Sequence, residues 1–333
     1  MTVLQDLILP SAMATVLPFL LTYLSTRYLI KALTKKGWVA MDYHKPDKPN
    51  VPRPGGPAII IGLLVSETVL FAISSDNGVL AITGATVVGF IVGIIDDLRT
   101  LSGILKPLLM IFGSIPILLL GTYSPYFTFP IFGAARIFLI YPILVLFAIA
   151  ITANTVNTID VLNGAVSGFV MIATLPVVFA LLLKEQFILA AVAIILVSTA
   201  AGFFIHHRFP SKIFPGDSGT LALGAMYGAI AIVGGVELVG VIAILPAVMN
   251  SFFYLSSVRR FTEHRKIKIR PTIVLDDGRL VAERNPKAPI TLVRLIVADE
   301  PLGEKEIVNN ILILTAFSSL LAAIVAALTW LHF

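Results

Sequence analysis

The sequence contains no cysteine. That absence excludes disulfides, thiolate metal sites and a cysteine nucleophile. Charge is scarce as well. Only 13% of the 333 residues are Asp, Glu, Lys or Arg, against 57% hydrophobic; a soluble domain carries about 25% charged residues. The mean hydropathy of +0.96 points to an integral membrane protein. The long apolar runs lack the period-two alternation of barrel strands, so helices are expected. No internal repeat or low-complexity segment stands out. The run from Leu7 to Leu24 has no basic leader and no small-residue cleavage site, so it reads as a retained span.

About ten spans are expected, near 7–28, 58–74, 79–95, 105–121, 137–153, 164–183, 187–205, 219–236, 238–258 and 309–331. Several have only about 17 residues, the lower limit for a bilayer core of roughly 30 Å. Prolines 18, 116, 142, 176 and 246 fall inside them, which membrane helices tolerate. Five loops then share one side: 29–57, 96–106, 154–163, 206–218 and 259–308. Every Lys and Arg except Arg136 and Lys184 falls in these loops or, as Arg27, at the inner end of the first run. The positive-inside rule makes the loops cytosolic and places both termini outside. The expected fold is an all-α polytopic membrane protein, a single domain over 1–333. Its only sizeable extramembrane piece is the last loop. There TIVLDDGRLVAE (272–283) reads as a small β-hairpin, with Asp276 and Asp277 as turn residues. Glu67 falls in mid-span, where an ionisable group is costly; no role is assigned to it.

Polar residues gather in those loops. GIIDDLRTLSG (93–103) sets Asp96 and Asp97 side by side after an apolar run. Adjacent carboxylates repel, and the C-terminal end of a helix disfavours them further. A divalent cation or a proton-transfer role would relieve this; a solvated helix end is the plainer alternative. Lys106 reads either as a phosphate contact facing the pair or as a snorkelling anchor. NTVNTIDVLNG (154–164) repeats Asn154, Asn157, Asp160 and Asn163 every third residue. One straight helix cannot aim all four at one point, but a helix end that unwinds near Asn163–Gly164 can. Such oxygens suit hard cations such as Mg²⁺. In FPGDSG (214–219), Asp217 reads as a Mg²⁺ ligand or a helix cap, and Phe214 as a base-stacking ring or an interface anchor. RRFTEHRKIKIR (259–270) offers His264 and Arg265 for a pyrophosphate, or simply positive-inside charge. Lys45, Lys48 and Arg53, in the Pro-rich loop 44–56, could meet a lipid phosphate or form an ordinary basic loop. His206 and His207 lie at a membrane edge without a metal-ligand pattern. A transporter would place its site near the midplane. A one-sided cluster suits a reaction between a soluble anion and a membrane lipid.

Taken together and in this order, GIIDDLRTLSG, NTVNTIDVLNG and FPGDSGTLALG resemble the polyprenyl-phosphate N-acetylhexosamine-1-phosphate transferases. The resemblance runs from the first inner loop to the last span. It implies about ten spans and five cytosolic loops that form the active site, at a plasma membrane. It also implies Mg²⁺, with Mn²⁺ as a substitute, and transfer of a sugar 1-phosphate from a UDP-sugar to a polyprenyl phosphate, with release of UMP. By resemblance, Asp217 and Asn157 are the metal ligands. Asp96, Asp97 and Lys106 join Asp217 in catalysis, with Asp97 near the lipid phosphate and Lys106 on a phosphate. Asn163 and Phe214 hold the uracil and His264 and Arg265 the pyrophosphate. Beside these, the loop readings add Asn154, Lys45, Lys48 and Arg53 as expected substrate contacts. DVLNG sets Asn163 where bacterial members commonly have aspartate, and EHRKIKIRP lacks the histidine run of the bacterial phospho-MurNAc-pentapeptide transferases. Both features are closer to eukaryotic GlcNAc-1-phosphate transferases and suggest an archaeal or eukaryote-like enzyme using UDP-GlcNAc and dolichyl phosphate. Glu263 departs from that pattern, standing where an arginine is expected. The expected partners are therefore the UDP-sugar and a dolichyl or other polyprenyl phosphate, without nucleic acid; a homodimer is compatible. Another UDP-hexosamine, or a nucleotide-sugar transporter, is the alternative.

Overall fold

Long apolar runs become helices because a helix satisfies its backbone polar groups within the segment, which hydrocarbon surroundings demand. The computed structural model describes residues 2–258 and 269–331. Helix α1 (Thr2–Lys36) leads into a two-stranded hairpin, β1 (Val39–Met41) with β2 (Asn50–Pro52). Helices α2 (Gly56–Ser74) and α3 (Asn77–Leu98) follow, then a broken segment: α4 (Leu105–Met110), a 3₁₀ turn over 111–114 and α5 (Ile115–Leu120). A second hairpin, β3 (Tyr126–Phe129) with β4 (Gly133–Arg136), precedes α6 (Tyr141–Asn157). The helices α7 (Ala165–Leu183), α8 (Phe187–His207) and α9 (Gly216–Val233) come next, then α10 (Glu237–Ala243) and α11 (Leu245–Val258). The described chain resumes with the hairpin β5 (Thr272–Val274) and β6 (Leu280–Ala282), a short α12 (Leu292–Ile296) and α13 (Glu304–Trp330).

Among the described residues, six helices are long and apolar enough to cross a membrane: α2, α3, α7, α8, α9 and α13. The pair α10 and α11, bent by 66°, makes a seventh if taken as one span. The chain is thus a helical, multi-pass membrane protein. The other expected spans are also helical, in α1, α4–α5 and α6, but α4–α5 and α6 are short. Two of the expected straight spans are broken. Pro246, in the first turn of α11, has no N–H to continue the ladder from α10, and Pro116 does the same after the 3₁₀ turn. The hairpin expected at 272–283 is present, and Asp277 accepts the Arg279 backbone N–H at its turn. The hairpins at 39–52 and 126–136 have no counterpart in the sequence-based expectation.

Helix α9 is the axis of the fold. It is almost wholly buried, against α3, α6 and α2. Its sequence GDSGTLALGAMYGAIAIV is rich in glycine and alanine, which lets neighbouring backbones approach closely. By contrast α13, with many large residues exposed, lies at the periphery. Glu67 on α2 is fully buried, and neither carboxylate oxygen has a hydrogen-bond partner among the described residues.

Candidate active site

Gly93 sits where α3 crosses the start of α9. A Cβ there would fall 2.4 Å from both the Asp217 carbonyl oxygen and the Ser218 Cα, so only glycine permits this approach. Asp97 lies one turn further along the same helix face. Its carboxylate accepts the backbone N–H of Asp217 at 2.9 Å, that of Ser218 at 2.9 Å and the Ser218 hydroxyl at 2.6 Å. The first turn of a helix carries unpaired N–H groups and a partial positive charge. Asp97 therefore exchanges the unfavourable end of its own helix for the favourable end of another.

From Asp97 the charges alternate in sign. Arg53 donates to Asp97 at 3.0 Å and to Asp217 at 2.8 Å. The other Asp217 oxygen accepts from Lys106, which also donates to Asp96 at 2.9 Å. Asp96 is tied down further by the Leu101 backbone N–H at 2.6 Å. The order is Asp96, Lys106, Asp217, Arg53, Asp97, drawn from four segments of the chain. Burial opposes the Arg53 charge, but Asp97 and then Asp217 outweigh it, and the guanidinium is held above its usual range.

A cavity of about 650 Å³ opens beside this row, and Asp96, Lys106, Asp217 and Arg53 line it. Asn157, Asp160 and Asn163 line another wall. Helix α6 stops at Asn157, and the chain turns through 158–164 to Gly164, whose φ of +89° favours glycine. The unwinding begins six residues earlier than Asn163, and it brings three of the four repeated residues to one space. Phe214 completes the lining, between Pro52 and Gly55, with which its backbone bonds. Asp160 is partly buried; burial pushes its carboxyl up to about 7, against the pull of Arg53. His207 also faces the cavity, 3.7 Å from Asp160 and 2.9 Å from the Ser167 hydroxyl.

Four expected site residues stand apart from the cavity wall. Asp97, expected near a lipid phosphate, has its carboxylate committed to α9 and Arg53 instead. Asn154 turns back on its own helix, donating to the Ala150 carbonyl at 2.7 Å. Lys45 is held between Asp42 and Glu304. Lys48 is exposed in the β1–β2 turn, at φ +44°. His264 and Arg265 lie outside the described residues. Asp160, one of the four repeated residues, does reach the cavity wall; conversely, the motifs assigned no part in the site to Asp42, Ser218, Thr220 or Glu304. The serine and threonine follow Asp217 in the same first turn and could have been read as a polar helix start; Asp42 and Glu304 carry no local signal.

The donor set suits a hard divalent cation. Asn157 Oδ1 accepts from the Thr220 hydroxyl at 2.6 Å, and Thr220 lies three residues along α9 from Asp217. Asn157 and Asp217 both line the cavity, so a carboxamide oxygen and carboxylate oxygens are offered to the same space. Among the described residues no cluster of three or more His, Cys, Asp or Glu could hold a metal. Mg²⁺ commonly uses one or two carboxylates and fills its shell with water and substrate phosphates, so this sparse set fits it.

Fold and site together define a multi-pass membrane protein with a cavity at one end of its helices, lined by fixed carboxylates, cations and carboxamides. The family model described as Glycosyl transferase family 4 matches residues 79–235. A Sulfolobus acidocaldarius protein named for UDP-N-acetylglucosamine–dolichyl-phosphate N-acetylglucosaminephosphotransferase activity is 31% identical over 260 residues, 75% of this chain and 78% of its own. A Saccharolobus solfataricus protein of the same name is 28% identical over 232 residues, 68% and 72% of the two chains. A Bacillus subtilis protein named for undecaprenyl-phosphate N-acetylglucosaminyl 1-phosphate transfer is 30% identical over 187 residues, 55% and 51%. The chain belongs to glycosyl transferase family 4.

Proposed function

We propose that the protein transfers N-acetylglucosamine 1-phosphate from UDP-GlcNAc to a polyprenyl phosphate of the dolichyl type and releases UMP. The observation that carries this reading is the alternating row of carboxylates and cations on one wall of a cavity. A site that joins two anions needs fixed cations at the reacting phosphates, and phosphoryl transfer depends mainly on such positioning. The archaeal relatives, named for this donor and acceptor, support the same choice. The bacterial relative, named for a different polyprenyl, makes the acceptor chain the part most open to variation.

Lys106 and Arg53 face the cavity and would take phosphate oxygens. Asn163 and Phe214, which also line the cavity, would receive the uracil. Asp217 and Asn157 would hold Mg²⁺, which when bound withdraws charge from the phosphates. An acceptor phosphate oxygen attacks the β-phosphorus; the bond from that phosphorus to the oxygen bridging the α-phosphate breaks, and UMP leaves with the electron pair. Phosphoesters lose their second proton near pH 6, so the acceptor needs no strong base. The four donors already on Asp97 speak against it as a covalent nucleophile and favour direct attack. Asp97 serves better by fixing Asp217 and Arg53. The strongly one-sided Lys and Arg distribution supports a ten-span topology with the cavity facing the cytosol.

The test is UMP release by purified protein with Mg²⁺, dolichyl phosphate and a panel of UDP-sugars. Release with UDP-GlcNAc that requires both lipid and metal, is abolished by EDTA and is lost in folded Asp217→Asn is the expected result. No release with any donor or polyprenyl phosphate, from folded protein, overturns the proposal.

A further inference from the structure

A second polar group, Asp42, Asn163 and Glu304, begins at the cavity wall, where Asp42 and Asn163 stand. Asp42, Asn163 and Glu304 are each 5% exposed or less, and they come from the first hairpin, the α6–α7 turn and the start of α13. The Asn163 backbone N–H donates to Glu304 at 2.8 Å. The Asn163 carboxamide Nδ2 donates to Asp42 Oδ2 at 3.2 Å. Lys45 pairs with the same Asp42 oxygen and reaches Glu304 at 3.3 Å. The backbone supports this arrangement too, since the Asp42 N–H closes the hairpin on the Pro49 carbonyl at 2.9 Å.

The two ends of a carboxamide are similar in shape, so its orientation must follow from its partners. Here the partner decides. A carboxylate in an ion pair with lysine, as Asp42 is with Lys45, only accepts. Turning the Asn163 amide over would set its oxygen against the Asp42 oxygen in a buried place. The amide is therefore held one way, with Oδ1 left as an acceptor and the second Nδ2 hydrogen as a donor. Uracil presents N3–H as a donor beside O4 as an acceptor, which complements that amide. Cytosine presents the reverse, with N3 accepting and N4 donating, and would require the disfavoured orientation.

We infer that Asp42, held by Lys45 and Glu304, is a positioning residue that fixes the hydrogen-bond polarity of Asn163 and so selects uridine over cytidine nucleotides. The inference rests on the reading of the donor as a UDP-sugar. It gives Lys45 a part in specificity rather than in binding lipid phosphate. A site built around fixed hydrogen bonds rejects a mismatched partner strongly because its buried groups are left unpaired.

The experiment compares UMP and CMP binding to wild-type protein and to Asp42→Asn, with transfer kinetics beside it. An asparagine at 42 can donate or accept and no longer forces Asn163 one way. The expected result is a UMP-to-CMP affinity ratio that falls about tenfold or more, with a raised KM for the UDP-sugar and a largely preserved kcat. Asp42→Ser, whose hydroxyl is equally two-way, reads the same ratio should Asp42→Asn fail to fold. A ratio unchanged in a folded variant overturns the inference, and so does equal loss of both nucleotides, which is the mark of a structural defect. Wild-type protein that transfers sugar phosphate yet binds UMP and CMP equally overturns it while leaving the reaction standing. Protein that binds neither nucleotide refutes the UDP-sugar reading itself.

Discussion

At the scale of single residues, Asp160 has an unusual place. It shares the cavity wall with two cations, yet neither Arg53 nor Lys106 pairs with it; among the described residues, its ion-pair partner is His207 at 3.7 Å. Burial is the main cause that raises its carboxyl to about 7. In the unfolded chain the same group titrates near 3.9. Between those values the folded state holds a proton that the unfolded state has lost, so stability falls as pH rises through the interval and levels off above it. Asp160→Asn removes that dependence, because the amide stays neutral. The difference in Tm between wild type and Asp160→Asn, measured in EDTA, is expected to move against the wild type from about pH 5 to about pH 8. A difference that stays flat across that interval would place Asp160 in water rather than in the protein.

Elements decide what the sequence could reveal. Asp96, Lys106, Asn157, Asn163, Phe214 and Asp217 all stand in short motifs at helix ends, so their gathering was legible from span order and sidedness. The commitment of Asp97 was not, because it depends on a glycine that brings α3 onto the first turn of α9. Asp42 and Glu304 were hidden for a similar reason: they meet Asn163 across more than a hundred residues of sequence. The hairpin at 126–136 was concealed by its apolar surroundings, which read as the approach to a span. Gly93→Ala tests the α3–α9 crossing. The new Cβ would strike backbone, which cannot swing aside, so α3 must lift from α9 and take Asp97 with it. A loss of about 1–3 kcal/mol in stability and a fall in transfer activity are expected. Gly168→Ala is the control, since its nearest neighbours are the flexible ends of Leu312 at 3.0 and 3.1 Å. Equal tolerance of both changes would mean that close contact between α3 and α9 does not set the site.

On the scale of the whole molecule, the site segments lie at alternating helix ends, where one helix finishes and the next begins. The cavity takes residues from the end of α3, the start of α4, the end of α6 and the start of α9. Successive helices run in opposite directions, so these ends share one end of the bundle, and the turns at 75–76, 184–186 and 234–236 lie at the other. There Lys184 donates to the Gly234 and Gly235 carbonyls at 2.6 and 3.0 Å, closing the far end of α9. The chain's lack of cysteine makes this division directly measurable, because a single introduced thiol is then the sole reactive one. Lys287→Cys places it on the exposed surface between β6 and α12, and Glu185→Cys places it in the exposed α7–α8 turn. A membrane-impermeant maleimide added to intact cells is expected to label the thiol at 185 and to reach that at 287 only after permeabilisation. The reverse pattern would put the cavity on the outer face, out of reach of a cytosolic nucleotide sugar. Labelling of both in intact cells would mean that the helices between these positions do not cross the bilayer an odd number of times, and the ten-span arrangement would fall with it.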